Sequence, residues 1–332
     1  MRIRAVAVAV LTLATVHTLP AQGSCATAPI QTQDACITTT DIFQYVTPQL
    51  GVVLTGGNAV LGQGGVIGGL PGLPRFSIGV RGTVLNGNLP TIQTPSITGP
   101  APHTASNPYP TTDQYMALPS ADASLSLFRG FTIGPTRVGG IGVFANASFV
   151  PTVTVTTSGA TFSIDPDTPL GIGYGARIGI IGERLLLPGV EFSYALRTLP
   201  KTGVVAATGG DSLTMTDYKL DATSWRVTAA KSFVAFTIAA GVGQDTYDTE
   251  STLEAIVNRP VPVGRVTTGP VAVSQTMTRM NVFGNFALNL VIAKLVVEGG
   301  LVSGGDITTA NVFDVAPGAD RVYGSVGLRL GF

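Results

Sequence analysis

Period-two hydrophobicity recurs along this chain from residue 75 to the last residue, in segments separated by turn-rich stretches. Successive side chains of a strand point to opposite faces, so each segment has one apolar face and one small or polar face. In the first, Phe76, Ile78, Val80 and Val84 oppose Arg75, Ser77, Gly79, Arg81 and Thr83. The second covers residues 121–127, with Asp122, Ser124 and Ser126 on its polar face. The third covers 139–150; the fourth, 170–180, sets Ile172, Tyr174 and Ile178 against glycines and Arg177. In the fifth, Val190, Phe192, Tyr194 and Leu196 oppose Glu191, Ser193 and Arg197. The sixth, 213–230, changes phase near residues 223–225, which predicts a bulge. The seventh carries Val234, Phe236, Ile238, Ala240 and Val242; the eighth sets Met280, Val282, Phe286 and Leu288 against Arg279, Asn281, Asn285 and Asn289. Leu295, Val297 and Leu301 oppose Glu298 in the ninth, and residues 321–332 form the tenth.

The connections after strands two, four, six and eight are short: 129–138, 181–189, 231–232 and 292–294. Those after strands one, three, five, seven and nine are long and rich in Pro, Gly, Thr and Asp. Membrane barrels alternate tight turns at one end with long loops at the other, whereas a soluble sandwich has no reason to sort its loops. The predicted fold is therefore all-β: a transmembrane, antiparallel, up-and-down β-barrel of ten strands. Residues 50–72, 152–164 and 263–273 each leave room for another hairpin, so twelve or fourteen strands stay open. The alternative is a secreted all-β protein. Against it, charged residues are 11 % of the chain, where about a quarter is usual. Beyond the first twenty-one residues no window approaches the about 18 apolar residues of a membrane helix. Lipid admits only helices and closed barrels, because every backbone polar group must be paired there.

Residues 1–21 read as an export signal: Arg2 and Arg4, the apolar run 5–16, and a small-residue end suited to cleavage after Ala21. Cys25 and Cys36 are the only cysteines and follow closely, which in an oxidising compartment predicts one disulfide. Ile42, Phe43, Val46 and Leu50 have roughly helical spacing, with Thr40 or Asp41 as the cap and Pro48 opposing the helix. Residues 51–72 are glycine-rich and irregular, placed either in the periplasm or in the lumen. This divides the chain into a signal, a disulfide-clipped segment 22–72, and a barrel 73–332.

Charge and chemistry narrow the function. The balance of 19 basic and 19 acidic groups excludes the basic face that nucleic-acid binding needs. The only histidine beyond the signal is His103, in a loop with prolines at 90, 95, 100, 102, 108 and 110. A hydrolytic site needs a histidine held against other polar groups, so no enzyme activity and no cofactor is expected. Asp165 and Asp167, and Asp245 and Asp248, read as loop carboxylates without the further oxygen ligands of a calcium site. Gly171-Ile-Gly-Tyr-Gly lies on a strand and lacks the helix that a dinucleotide loop requires. The lumen candidates are Arg81, Asp122, Arg177, Glu191, Arg197, Arg279, Glu298 and Arg321, with Asp221 and Arg329. Mixed signs suit either an internal ion-pair network or a polar conduit.

The terminal segment R-V-Y-G-S-V-G-L-R-L-G-F resembles the closing strand of bacterial outer-membrane barrels. That resemblance implies an outer-membrane location of the Gram-negative type, contact with its lipid, and recognition by the barrel-assembly machinery through Tyr323, Leu328, Leu330 and Phe332. A helical segment and the stretch Thr55-Gly-Gly-Asn-Ala-Val-Leu-Gly ahead of the first strand resemble the FadL/toluene-transporter class. The class implies an amino-terminal hatch in the lumen and uptake of small hydrophobic molecules. In that arrangement the Gly171, Gly173 and Gly175 face would receive the hatch, and Arg177 or Arg279 would bond its carbonyls. A structural or surface-interaction barrel without transport is the competing reading.

Overall fold

The computed structural model describes residues 25–63, 76–91, 94–134, 136–157, 160–184, 187–290 and 292–331. The predicted export signal, Arg75, most of the glycine-rich stretch and Phe332 lie outside these residues. A 3-10 turn at Ile30–Thr32 leads into helix α1, Gln33–Thr55. The barrel strands are β1 (Phe76–Pro90), β2 (Thr111–Phe128), β3 (Gly140–Phe149), β4 (Leu170–Ile181) and β5 (Gly189–Thr198). They continue as β6 (Asp211–Ser232), β7 (Phe236–Asn258), β8 (Val271–Asn289), β9 (Ala293–Ser303) and β10 (Arg321–Gly331). Each pairs antiparallel with its sequence neighbours, and β10 returns to β1 with Ser77 opposite Gly331 and Leu85 opposite Tyr323. The sheet closes on ten strands.

The segments that left room for more strands do not enter this ring. Val153–Thr157, Ala160–Pro166 and Thr202–Thr208 form a small sheet on the outer half of β6. Arg265–Thr267 pairs with the end of β7. On the short-turn side, Phe131–Ile133 and Thr136–Val138 make a separate hairpin.

The bulge expected near residues 223–225 is elsewhere. Pairing of β6 with β7 runs unbroken there and shifts between Thr216 and Lys219, where Asp217 has φ 53°. The change of pattern has a different cause. In the turn-side half of β6, Trp225 and Val227 face outward while Arg226 and Thr228 are buried inside. In its outer half, Lys219, Asp221 and Thr223 face outward, and Tyr218, Leu220 and Ala222 are inside. β7 does the same, from Ile238 and Val242 outward to Asp248 and Glu250 outward, with Tyr247 and Leu253 beneath. From Tyr218 to Thr228 side-chain parity does not change; the surroundings do. Outside the ring lipid gives way to water, and inside it a polar lining gives way to an apolar packing surface. Tyr194 lies opposite Trp225 at the crossover, and Tyr174 is outward on β4. Aromatic side chains at that height form the girdle of a membrane boundary.

The inner packing surface meets α1. A ring of about eight strands is filled by side chains alone, and ten leave space for a helix about 10–12 Å across. The helix begins at Gln33, well before the expected cap at Thr40 or Asp41, and runs through Pro48. It presents no single apolar stripe because it is enclosed on every side. Thr39 and Thr40 donate their hydroxyls to the carbonyls of Ala35 (2.6 Å) and Cys36 (3.0 Å), within the helix. At Gly51 the Tyr247 ring lies where a side chain would stand, and its hydroxyl is 3.0 Å from Thr55 Oγ1. The Cys25–Cys36 disulfide clips the preceding turn to the first turns of the helix.

The axis of α1 is oriented by its ends. Asp34 accepts hydrogen bonds from the Ser96 (2.6 Å) and Ala101 (3.3 Å) amides in the long β1–β2 loop. Leu61, beyond the other end, lies beside Val296 and Gly327 at the short-turn end. The helix therefore descends from the long loops to the base.

Lipid contact on the outer face is directly testable. Val326 is 55 % exposed within the apolar band, and Val326→Arg should cost about 2–4 kcal/mol in lipid vesicles. Tyr115→Arg, at a site 71 % exposed near the loop-side boundary, should cost about 0–1 kcal/mol. Denaturant unfolding of both variants measures the difference, and equal costs would reject the membrane span.

Candidate functional site

The last four carbonyls of a helix have no partner within it, and that end is the negative pole of its dipole. The last turn of α1 holds no basic residue. The barrel wall supplies the cations. Arg197 Nη1 donates to Leu54 O (3.4 Å), and Arg226 Nη2 donates to Thr55 O (3.1 Å). The chain after the helix is held in the same way. Arg226 Nε reaches Gly57 O (3.1 Å), Arg81 Nη1 reaches Asn58 O (3.0 Å), Arg197 Nη2 reaches Ala59 O (3.4 Å) and Arg329 Nε reaches Leu61 O (2.7 Å). The Asn58 amide donates to Glu298 Oε2 at 3.0 Å. Gly57 has φ +84°, and a side chain there would overlap the Glu298 carboxylate. Four guanidinium groups thus grip six consecutive-region carbonyls of an uncharged strand of chain.

Carboxylates in the wall hold those guanidiniums. Arg226 Nη2 lies 2.7 and 2.9 Å from the two Asp245 oxygens, and Asn281 Nδ2 donates to Asp245 Oδ2 at 3.4 Å. Tyr323 is buried and its hydroxyl donates to Asn281 Oδ1 at 2.9 Å. Arg329 pairs with Asp122, and Arg177 lies 3.7 Å from Glu191.

The other expected site residues fall as follows. Arg279 donates to the carbonyls of Val302, Gly318 and Ala319, and Arg321 to Asn88 Oδ1, so both fasten wall and loop at the outer end. Arg279 is thus engaged by the wall and loop and not by the lumen segment. The space over Gly171, Gly173 and Gly175 is filled by Pro200, by Asn146 with Arg197, and by the Phe144 ring. Ala59 and Val60 pack on Phe144 instead of on those glycines. Asp221 faces outward, 2.8 Å from Lys219 Nζ. Leu328 is outward and exposed.

Asp245 and Asp248 are strand residues on opposite faces, so they cannot share a cation; Asp248 accepts from Thr276 Oγ1 at 2.7 Å. His103 packs against Tyr109, with ring centroids 3.6 Å apart and the planes tilted by 51°. Among the described residues no group of three His, Cys, Asp or Glu side chains is placed to hold a metal. Sequence reasoning missed Arg226 and Asp245. Inward parity carried through the polarity crossover would have found both.

At the outer mouth α1 is latched to a second loop. Asp41 is fully buried and accepts from the amides of Ala310 (3.0 Å) and Asn311 (2.7 Å) and from Asn311 Nδ2 (2.7 Å). A cavity of about 400 Å³ lies beside this latch, between α1, the outer ends of β6 and β7, and the accessory sheet. Ala35, Thr38, Ile42, Phe162, Leu213 and Val257 are among its walls. At its rim Arg259 Nη1 pairs with both Asp211 oxygens at 3.0 and 2.9 Å, and Arg259 Nη2 donates to Pro95 O at 3.2 Å.

No protein-family model matches the sequence, and none of the curated proteins compared is similar to it. Among solved structures, the translocator domain of autotransporter NalP from Neisseria meningitidis is similar at 10 % identity and a TM-score of 0.38, covering 90 % of this chain and 97 % of that one. The Pseudomonas putida toluene transporter TodX is similar at 10 % identity and a TM-score of 0.34, covering 79 % and 89 %. Scores this low carry no weight here; the fold rests on strand pairing and the site on side-chain geometry.

Two outcomes follow from this geometry. Asp245→Asn leaves Arg226 a buried charge without its counterion, which should cost about 3–5 kcal/mol. A paired Arg226→Met, Asp245→Leu replacement should recover most of that in the same denaturant titration. Asp41 titrates outside the membrane span, about 12 Å further along the helix than Gln49, whose amide bonds Asn88 beyond the apolar band of β1. Burial pushes its carboxyl up to about 6, against the lowering effect of the Asn311 and Ala310 amides. The folded state then binds the proton more tightly than the unfolded chain. Its contribution is complete below the ordinary carboxylate pKa and is lost as pH rises through about 6. Acidification from about pH 7 to about pH 4 should therefore stabilise this contact by up to about 3 kcal/mol. Asp41→Asn should remove that part of the pH dependence of unfolding, and an unchanged profile would contradict it.

Proposed function

We propose that the protein is an outer-membrane barrel whose lumen is a gated path for small solutes, with residues 33–63 as the plug. The observation that carries this is how the plug is held. Among the described residues, hydrogen bonds fasten the plug to the wall, and the disulfide joins two residues of the plug segment to each other. Residues 42–63 contain no charged side chain, so the part of the plug that meets the base of the lumen can move without taking a buried charge with it. The cavity at the mouth supports a preference for small, partly hydrophobic molecules, since its charged rim groups already neutralise each other. In this reading residues 1–21 are removed on export, and the terminal strand with Leu328, Leu330 and Phe332 is recognised by the assembly machinery.

A second reading, a structural or surface-interaction barrel, is favoured by the outer halves of β6 and β7 and their accessory sheet, which stand beyond the apolar band. The two differ in conductance. In planar bilayers the intact chain should stay nearly closed, and a variant lacking residues 22–72 should conduct strongly. Equal, small conductance from a truncated barrel that still shows heat-modifiable mobility would remove the channel reading and leave the structural one.

A further inference from the structure

The plug is neutral where it meets the base of the lumen, but the wall around it is not. Among the described residues, seven buried arginines turn inward: the four that hold the plug, together with Arg177, Arg279 and Arg321. The buried carboxylates of the wall are Asp122, Glu191, Asp245 and Glu298. The wall carries an excess of three positive charges, and residues 42–63 do nothing to offset it by charge. Compensation comes from dipoles. Arg81 and Arg197 direct their bonded donors at the carbonyls of Leu54, Asn58 and Ala59, and Arg226 adds those of Thr55 and Gly57.

Those carbonyls stand where an anion would stand. A guanidinium bonds an oxyanion more strongly than a neutral carbonyl, and its fork matches carboxylate and phosphate geometry. Low-dielectric walls focus the field of like charges into a narrow passage, and rings of arginine select anions in pores. We propose that Arg81, Arg197, Arg226 and Arg329 form an anion-binding constriction that the plug occupies with its carbonyl oxygens. A compact anion competes with residues 54–61 for these groups, and the opened lumen passes anions in preference to cations. In series with the apolar mouth, this makes the fitting solute a small organic anion and not a neutral hydrocarbon. The conduction half rests on the gated-path reading; the binding half does not.

Two measurements on the full chain separate them. In planar bilayers under a potassium chloride gradient, the reversal potential of openings should give chloride a permeability over potassium on the order of threefold or more. Arg81→Gln with Arg197→Gln should abolish that preference, while the corresponding Lys pair, which keeps the charge, should retain it. Without conduction, amide hydrogen exchange in residues 52–61 of the solubilised protein should accelerate in phosphate and not in gluconate, a bulkier anion, at equal ionic strength. The Gln pair should erase this phosphate effect. Exchange that responds to phosphate in a protein that never opens supports the anion site and ends the channel reading. Openings that prefer potassium or lack preference, or exchange indifferent to phosphate, overturn the inference.

Discussion

The structure depends on one requirement: a helix end enclosed in a barrel must have its carbonyls satisfied by the barrel. No lysine or arginine within α1 does so. Arg197 and Arg226 take the place of a basic last turn, and Arg81 and Arg329 extend the same solution to the chain beyond. Once four arginines point inward, carboxylates must follow to hold them, which accounts for Asp245 and Asp122 around the same ring. Tyr323 and Asn281 then position Asp245 from the next strands. The plug and the wall are therefore one hydrogen-bonded unit, and disturbing either leaves buried charge behind.

A second constraint acts along the barrel axis. Strand parity holds through the polarity crossover, but lipid, water, lumen and plug change with height. In the membrane half the apolar face is outside; in the outer half of β6, β7 and β8 it is inside, against α1. The same strands thus build a lipid-facing wall and a water-soluble sleeve. Two aspartates on the helix, Asp34 and Asp41, fasten separate loops over the sleeve by accepting backbone amides. Because Ala35, Thr38 and Ile42 of the helix line the cavity, an occupant there touches the plug helix directly. The mouth and the base are joined through one continuous helix.

The sequence by itself determined where the ten barrel strands lie, their order and which end bears the long loops, but left twelve or fourteen strands open. Alternation and loop length are local properties, and lipid enforces them strictly because an unpaired backbone group is costly there. It also determined which arginines and acids of β1, β4, β5, β8, β9 and β10 turn inward, since parity follows from counting along an uninterrupted strand. Tertiary structure alone decided the rest. The full length of α1 was hidden because an enclosed helix needs no apolar stripe, and a buried wall tolerates Pro48 and the threonines. Arg226 and Asp245 were hidden because the polarity crossover resembles a bulge when lipid boundary and plug are unknown. Which arginine meets which carbonyl depends on the height at which the helix ends in the lumen, and no local pattern encodes that height. It is set by long-range contacts: Tyr247 on Gly51, Glu298 on Asn58, and loops closing on Asp34 and Asp41.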